Sequence, residues 1–331
     1  MSDTTPEITI LRELLDREPD FLSGSKLAAK LGMSRVGVWA HMEKLRKQGF
    51  GFEAVRSRGY RLTQRPNELH PALIEAHLRS SPRKVSIHFL SEVDSTSSEA
   101  ERLLAAGESA PFVVLSRRQL AGRGRLGRPW HSEANGNLYS SFAFRPLIEP
   151  SKMQTFTMWM GINLCELIEN FCHASPGLKW PNDLIFDGRK VGGMLTEARM
   201  DSDHIRDLVF GLGLNVNGTV STLPAALSRT ATSLSDRVGQ PLDLNRFAAA
   251  LIGRVLQAYD RFVEGEGGRD LIARWEKHDV LRGKLVTVIQ GDRKYSGTAA
   301  GIDEEGSLLL RQDSNRIARF RAGEVTLEKQ S

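Results

Sequence analysis

Cysteine is scarce in this chain: Cys165 and Cys172 are the only two among 331 residues. Neither has a His or Cys neighbour at metal-ligand spacing, which excludes a disulfide scaffold and a zinc finger. Both fall in a segment of helical apolar spacing and read as reduced core thiols. Long apolar runs are missing too, since nothing approaches the ~20 residues a membrane helix needs. The opening MSDTTPEITI has no basic stretch followed by an apolar one, so no secretory leader is expected and the cytoplasm is the expected compartment. No Ser-His or Cys-His arrangement suggests a covalent nucleophile.

What is present is ordinary globular usage, 40% hydrophobic and 26% charged, in a length that calls for two or three domains. Charge is unevenly spread. Residues 22–65 hold ten basic side chains against two acidic ones, Glu43 and Glu53, and the rest of the chain is slightly acidic. A compact basic segment suits nucleic acid, with a solvated basic face as the plainer alternative. Ile10, Leu11, Leu14 and Leu15 predict a first helix over about 9–22. SKLAAKL predicts a second helix, Gly32 and Met33 a tight turn, and Ser34 the cap of a third running to about Gln48. This is helix-turn-helix spacing. Val38, Met42 and Leu45 form the third helix's apolar stripe, which leaves Arg35, His41, Lys44 and Lys47 away from the core. Residues 52–55 and 60–62 read as strands around a basic tip, Arg56 and Arg58, either a wing beside DNA or a surface turn.

The polar QRPN at 64–67 reads as a linker. Beyond it, strands over 86–90, 112–116 and 138–144 alternate with helical runs such as 153–171, predicting a mixed α/β core. After Gly283, short strands separated by Gly-Asp and Glu-Gly turns predict a small all-β domain.

Two stretches carry chemistry. RRQLAGRGRLGRPW (117–130) has five arginines and no acid. It satisfies G-x-G-x-x-G formally, but arginines fill the variable positions and Pro129 and Trp130 stand where a dinucleotide fold would open its helix. A phosphate P-loop fails as well, because Arg128-Pro129 replaces Lys-Ser/Thr. What remains is a glycine-rich loop whose guanidinium groups can neutralise a carboxylate and a triphosphate, with a solvated basic turn as the plainer alternative. In KWPNDLIFDGRKVGGMLTEA (179–198), Asp187-Gly188 predicts a two-residue hairpin turn with Lys190 on the returning strand. Gly192 and Gly193 permit close approach of a ligand, or else mark a bulge. Asn182 offers a donor and an acceptor to an adenine edge, and Asp183 offers an oxygen to Mg²⁺.

STS at 95–97, GRGRLGR at 122–128, KWPND at 179–183 with DGRK at 187–190, GLGLNVN at 211–217 and RWEKHD at 274–279 occur in the order seen in biotin protein ligases. LAAKLGMSRVGVWAHMEKLRKQGFGFEAVRSRGYRL (27–62) resembles the winged helix of the bifunctional members that also repress biotin-synthesis genes. The resemblance implies an α+β chain of three parts: a winged helix-turn-helix (1–65), a mixed α/β biotin/lipoate ligase-type catalytic domain (68–280) and a small SH3-like β-barrel (281–331). It implies ATP-dependent formation of biotinyl-5′-AMP and transfer of biotin to a lysine of a biotin carboxyl carrier protein, with Mg²⁺ assisting. It also implies operator binding by a homodimer that biotinyl-AMP promotes.

By the same resemblance, Ser95, Thr96, Ser97, Gln119, Arg123, Gly124, Arg125, Lys190 and Gly193 hold biotin, and Arg125, Arg128, Trp130, Asn182, Lys190 and Asn215 hold ATP or the adenylate. Lys190, Arg125 and Arg123 carry catalysis, and Asp183 takes the metal. Ser34, Arg35, His41, Lys44, Lys47, Arg56 and Arg58 meet DNA. Ser97 stands where many repressor-type members have asparagine, and Leu126 where some have a further arginine. The chain has no Met-Lys-Met acceptor motif of its own, so the acceptor lysine belongs to another protein.

Overall fold

A computed structural model describes residues 5–78, 85–133, 136–219, 223–268, 270–312 and 316–327. They divide into two units, 1–80 with 243–250, and 81–242 with 251–331. Among the described residues no helix is long and apolar enough to cross a membrane.

In the first unit α1 (Pro6–Arg17) opens where the Thr5 hydroxyl accepts from Ile8 N, and it stops two residues before Pro19, short of the expected end at 22. Helix α2 (Gly24–Leu31) ends on Gly32 in the left-handed region, and Ser34 Oγ caps α3 (Arg35–Arg46) by accepting from Gly37 N at 3.1 Å. Val38, Met42 and Leu45 are fully buried, as their spacing predicts. They share a core with Ile10, Leu11 and Leu14 of α1, each side chain contributing roughly 1.5–3 kcal/mol of burial. The wing is the antiparallel pair β1 (Gly51–Val55) and β2 (Gly59–Gln64). Gly59 cannot be replaced at its base, since a Cβ there would lie 2.0 Å from Leu22 O at φ +109°.

The expected boundary at 65–68 is not where this unit ends. Helix α4 (Pro71–His77) sends Leu73 and Ala76 into the same core, and Arg12 of α1 donates to Glu75 O at 3.2 Å. The polar linker is fixed by a residue far along the chain: Asn245 Oδ1 accepts from His70 N at 2.7 Å, and its Nδ2 donates to Glu68 O at 3.0 Å.

The second unit is built on a seven-stranded sheet. Strand β3 (Ser86–Val93) leads through α5 (Thr96–Ala105) to β4 (Phe112–Gln119), and a small hairpin follows, β5 (Gly122–Arg123) with β6 (Pro129–Trp130). Then come β7 (Leu138–Phe144), α6 (Met153–Cys172), β8 (Gly177–Lys179), β9 (Asp183–Phe186), β10 (Arg189–Asp201) and β11 (His204–Leu214). The strand order is β3-β4-β7-β11-β10-β9-β8, with only β3 and β4 parallel. Strand β7 is buried at every residue because β4 and β11 flank it and both faces are covered. Helix α6 is apolar on most of its surface and packs as a core helix.

Helices α7 (Ala225–Ser228), α8 (Leu234–Val238), α9 (Leu244–Val263) and α10 (Leu271–Glu276) follow, α9 starting in the first unit and continuing in the second. Two residues of RWEKHD are structural: Arg274 lies over the Trp159 ring and pairs with Glu166 at 2.7 Å, and Trp275 is buried. Strands β12 (Leu285–Gln290), β13 (Arg293–Ile302), β14 (Leu308–Arg311), β15 (Ile317–Phe320) and β16 (Glu324–Leu327) make the small antiparallel sheet expected at the end, in the order β15-β14-β13-β12-β16. Both cysteines are free; Cys165 is buried, and burial pushes the half-buried Cys172 thiol up to about 11.

Candidate active site

One cavity of the second unit gathers nearly every side chain singled out by the motifs. Its wall is lined by Ser95–Ser97, Gln119, residues 123–126, Arg128, Trp130, Asn182, Asp183, Lys190 and Gly193, together with Gly211, Gly213 and Glu324. Asn215 is the exception. Its Nδ2 donates to Thr232 O at 3.1 Å and its backbone N to Val191 O, so it braces the loop behind the wall instead of lining it.

At one end of the cavity a chain of hydroxyls orients an amide. Ser97 Oγ lies 3.0 Å from Ser141 Oγ, Ser141 donates to Thr96 Oγ1 at 2.8 Å, and Thr96 Oγ1 and N both donate to Gln119 Oε1, at 3.1 and 2.8 Å. Two donors converging on that oxygen leave Gln119 Nε2 as the outward donor, 2.9 Å from Ser132 Oγ. Ser95 caps α5, and its own N–H donates to Asp94 Oδ1 at 2.7 Å. Arg102 holds Asp94 in turn through two bonds of 2.9 and 2.7 Å, which keep its carboxyl down at about 2. Ser97 fits because residue 211 is glycine: a Cβ there would sit 2.7 Å from Ser97 Oγ.

The arginine loop is the β5–β6 hairpin, closed by Gly124 N donating to Arg128 O at 2.7 Å, with Leu126 exposed at its tip. Two of its arginines, Arg123 and Arg128, have carboxylate partners from distant elements. Arg123 Nη2 bonds Glu101 of α5 at 2.6 Å and Glu197 of β10 at 2.7 Å, and Arg128 pairs with Glu324 of β16. Arg125 is half-buried and its Nη1 reaches Asn182 Oδ1 at 3.3 Å; burial lowers its proton affinity, against the pull of Asp183 and Glu324. None of these three carboxylates was singled out by the motifs: Glu101 and Glu324 lie outside every one of them, Glu197 stands near the end of the 179–198 stretch, and all three meet the loop only through the fold.

The Asp187-Gly188 turn forms as its dipeptide predicts, both residues at positive φ. The register between β9 and β10 slips by one between Lys190 and Gly192, so Val191 is the bulged residue. Without that bulge Lys190 and Gly193 would face opposite sides of the sheet. With it, Lys190 Nζ lies 2.6 Å from Asp183 Oδ1 and 5.2 Å from the centroid of Trp130. The Trp130 ring rests on two glycines: a Cβ on Gly213 would come within 2.3 Å of Cε2, and one on Gly193 within 3.0 Å of Cζ3. Trp130 Nε1 is buried without a hydrogen-bond partner among the described residues. Asn182 is pinned, its Nδ2 donating to Met194 O at 2.6 Å. Among the described residues no three His, Cys, Asp or Glu side chains cluster as a metal cage. A lone carboxylate such as Asp183, here paired with Lys190, can give a Mg²⁺ ion one protein ligand at most.

The residues expected to meet DNA lie in the first unit. Arg35, Lys47, Arg56 and Arg58 are exposed, and Arg58 sits over the Phe21 ring at 4.2 Å. Ser34 spends its hydroxyl on the cap of α3. His41 is not turned away from the core: its Nδ1 lies 2.8 Å from Glu7 Oε1, because its position on α3 faces the start of α1. Lys44 reaches the same carboxylate at 3.6 Å. Partial burial resists ionisation of Glu7, but hydrogen bonds from His41 and its own backbone, with Lys44 nearby, hold it below the usual range.

The Biotin/lipoate A/B protein ligase family model matches residues 90–215, an HTH domain model matches 7–61, and a Biotin protein ligase C terminal domain model matches 283–327. The Bifunctional ligase/repressor BirA of Bacillus subtilis is 33% identical over 313 residues, covering 93% of this chain and 94% of the relative. Its namesake from Escherichia coli K12 is 31% identical over 327 residues, 99% of this chain and 98% of the relative. Among solved structures, the biotin protein ligase from Aquifex aeolicus in complex with biotin and ATP superposes with a TM-score of 0.63 at 29% identity, covering 74% of this chain and 99% of that one.

Proposed function

The chain belongs to the family of bifunctional biotin ligase/repressors, and from that membership and the cavity around Lys190 we infer that it is an ATP-dependent biotin protein ligase that also binds DNA. The carrying observation is the convergence of Arg123, Arg125, Arg128 and Lys190 on one cavity that also holds the hydroxyl-oriented Gln119.

Biotin is a carboxylate and ATP a polyanion, so the first step must bring two anions together. A carboxylate oxygen of biotin attacks the α-phosphorus in line; the new O–P bond forms as the bond to the β-phosphate oxygen breaks, and pyrophosphate leaves. Positioning and charge neutralisation carry such a step, and no covalent enzyme intermediate is needed. In this reading Ser95, Thr96, Ser97 and Gln119 hold the ureido ring, with the backbone at Arg123 and Gly124 beside it. Arg123, Arg125 and Lys190 gather around the carboxylate and α-phosphate. Trp130 and Asn182 hold the adenine, and Arg128 attracts the outer phosphates. Asp183 would hold a Mg²⁺ ion, which would supply further charge neutralisation when bound. In the second step the neutral amine of an acceptor lysine, on the biotin carboxyl carrier protein of acetyl-CoA carboxylase, attacks the acyl carbon; an amide forms, and AMP leaves with the anhydride oxygen.

The regulatory half of the reading is that biotinyl-AMP promotes homodimerisation and that the dimer binds the operator of biotin-synthesis genes. One winged helix meets one half-site, whereas a two-fold dimer doubles the contacts and raises the local concentration of the second module. Ligand and dimer affinity then strengthen each other by the same factor. Native mass spectrometry of the protein with biotin and Mg-ATP tests the ligase, with retained biotinyl-AMP expected. Sedimentation with and without biotinyl-AMP, paired with DNA titration over a salt series, tests the rest. A monomer with adenylate bound, or operator binding indifferent to ligand, would leave the ligase standing and remove the repressor.

A further inference from the structure

Helix α3 has a second apolar stripe, on the face opposite its core. Val36 is 74% exposed and Trp39 52%, and Ala40 beside them is also exposed. A tryptophan and a valine left in water on adjacent turns of one helix mark a contact surface. Exposed cations of the same unit include Arg35 and Lys47 on α3, and Arg56 and Arg58 on the wing. The nearby acids are already paired, Glu43 with Arg46 and Glu53 with Arg61. A second copy of this face would oppose four cations to four cations, whereas a phosphate backbone on either side complements them.

The N-terminal half of a helix-turn-helix reading helix is the part that meets base edges in the major groove. Over 35–40 of this chain those residues are Arg, Val, Gly, Val, Trp and Ala, and Arg35 is the one side chain there that can form bidentate hydrogen bonds. The base-edge feature that suits aliphatic and aromatic side chains is the 5-methyl group of thymine. We propose that Val36, Trp39 and Ala40 read thymine methyl groups, so that selectivity for the operator lies mainly in apolar contacts, with the surrounding cations fixing the helix on the phosphates. The inference rests on the DNA-binding reading above and specifies what that surface recognises.

The test selects duplexes from a random-sequence pool with the full chain in the presence of biotin and Mg-ATP, then replaces thymines of the enriched sequence by deoxyuridine, which removes only the methyl. The expected result is an enriched site with thymines at fixed positions, about fourfold weaker binding for each reading methyl removed, and loss of that discrimination in Trp39→Ala and Val36→Ala. Both variants should keep wild-type affinity for unselected duplex. An enriched site indifferent to deoxyuridine, or undiminished discrimination in Trp39→Ala, overturns the inference while DNA binding stands. A Trp39→Ala protein that loses its dimer and keeps its selectivity assigns the face to a protein contact and overturns it too. No enriched sequence at all, with Arg56→Ala binding like wild type, removes the DNA-binding reading itself.

Discussion

Lys190 and Asp183 meet at 2.6 Å because a single bulged residue, Val191, turns the lysine onto the face that Asp183 already occupies. Lys190→Ala should cut biotin-dependent ATP–pyrophosphate exchange about a hundredfold, since one charge-assisted contact to a reacting anion is worth roughly 2–4 kcal/mol. Asp183→Asn should cost less, about tenfold, a factor of ten corresponding to about 1.4 kcal/mol. Exchange measured over a Mg²⁺ series checks its part: a loss that excess Mg²⁺ partly restores is expected of a metal ligand, and one that it does not restore would leave Asp183 only its ion pair with Lys190.

The seat of Trp130 gives a second outcome. Gly213→Ala puts a Cβ 2.3 Å from the indole and must displace the ring. Overpacking of this kind costs roughly 1–3 kcal/mol. The KM for ATP should rise about tenfold with biotin affinity little changed, and thermal unfolding should show Trp130→Ala recovering much of the lost stability in the double variant. Additive losses in the double variant would disconnect the two residues.

Asp94 makes part of the stability depend on pH. Hydrogen bonding from Arg102 and from Ser95 N lowers its carboxyl from 3.8 to about 2, so the contribution is fully present above about 3.8 and is lost as pH falls towards about 2. The pair is half exposed, which limits its worth to ~1 kcal/mol or less. Urea unfolding of wild type and Asp94→Asn should differ at pH 6 and converge near pH 2. A difference that persists at low pH would assign the effect to packing.

Arg56 at the wing tip should act on DNA through phosphate alone. Arg56→Ala is expected to weaken binding equally for all sequences and to flatten the slope of log affinity against log salt by about 0.9. Titrations at several salt concentrations on selected and random duplexes measure both.

Local rules carried much of the fold. Ser34 and Gly32 fix the ends of α3 and α2 through backbone chemistry that a dipeptide already contains, as Asp187-Gly188 fixes the β9–β10 turn. The cavity's walls were legible for a different reason, the order of the motifs within a resemblance. What escaped was long-range. Asn245 closes the linker from 175 residues beyond His70, and Glu324 reaches Arg128 across 196. Asn215 sat in a motif yet does not line the cavity as Gly211 and Gly213 do, since β11 ends at Leu214 and the side chain that follows is bonded to Thr232 O. Val36 and Trp39 are apolar residues out of phase with Val38, Met42 and Leu45, and phase alone does not separate an exposed contact surface from a half-buried flank.

The partners of the cavity's cations bear on how ligands enter. Arg123 holds Glu101 and Glu197, Arg128 holds Glu324, and Lys190 holds Asp183. A carboxylate or phosphate that engages Arg123, Arg128 or Lys190 would therefore exchange with a resident carboxylate, with Arg125, bonded to Asn182, as the one cation of the four without such a partner among the described residues. Exchange of one bound anion for another releases few counterions, so ligand capture should be nearly indifferent to ionic strength, while the exposed cations of the first unit stay strongly salt-dependent. The two activities of one chain then answer differently to the same change in the cell's salt.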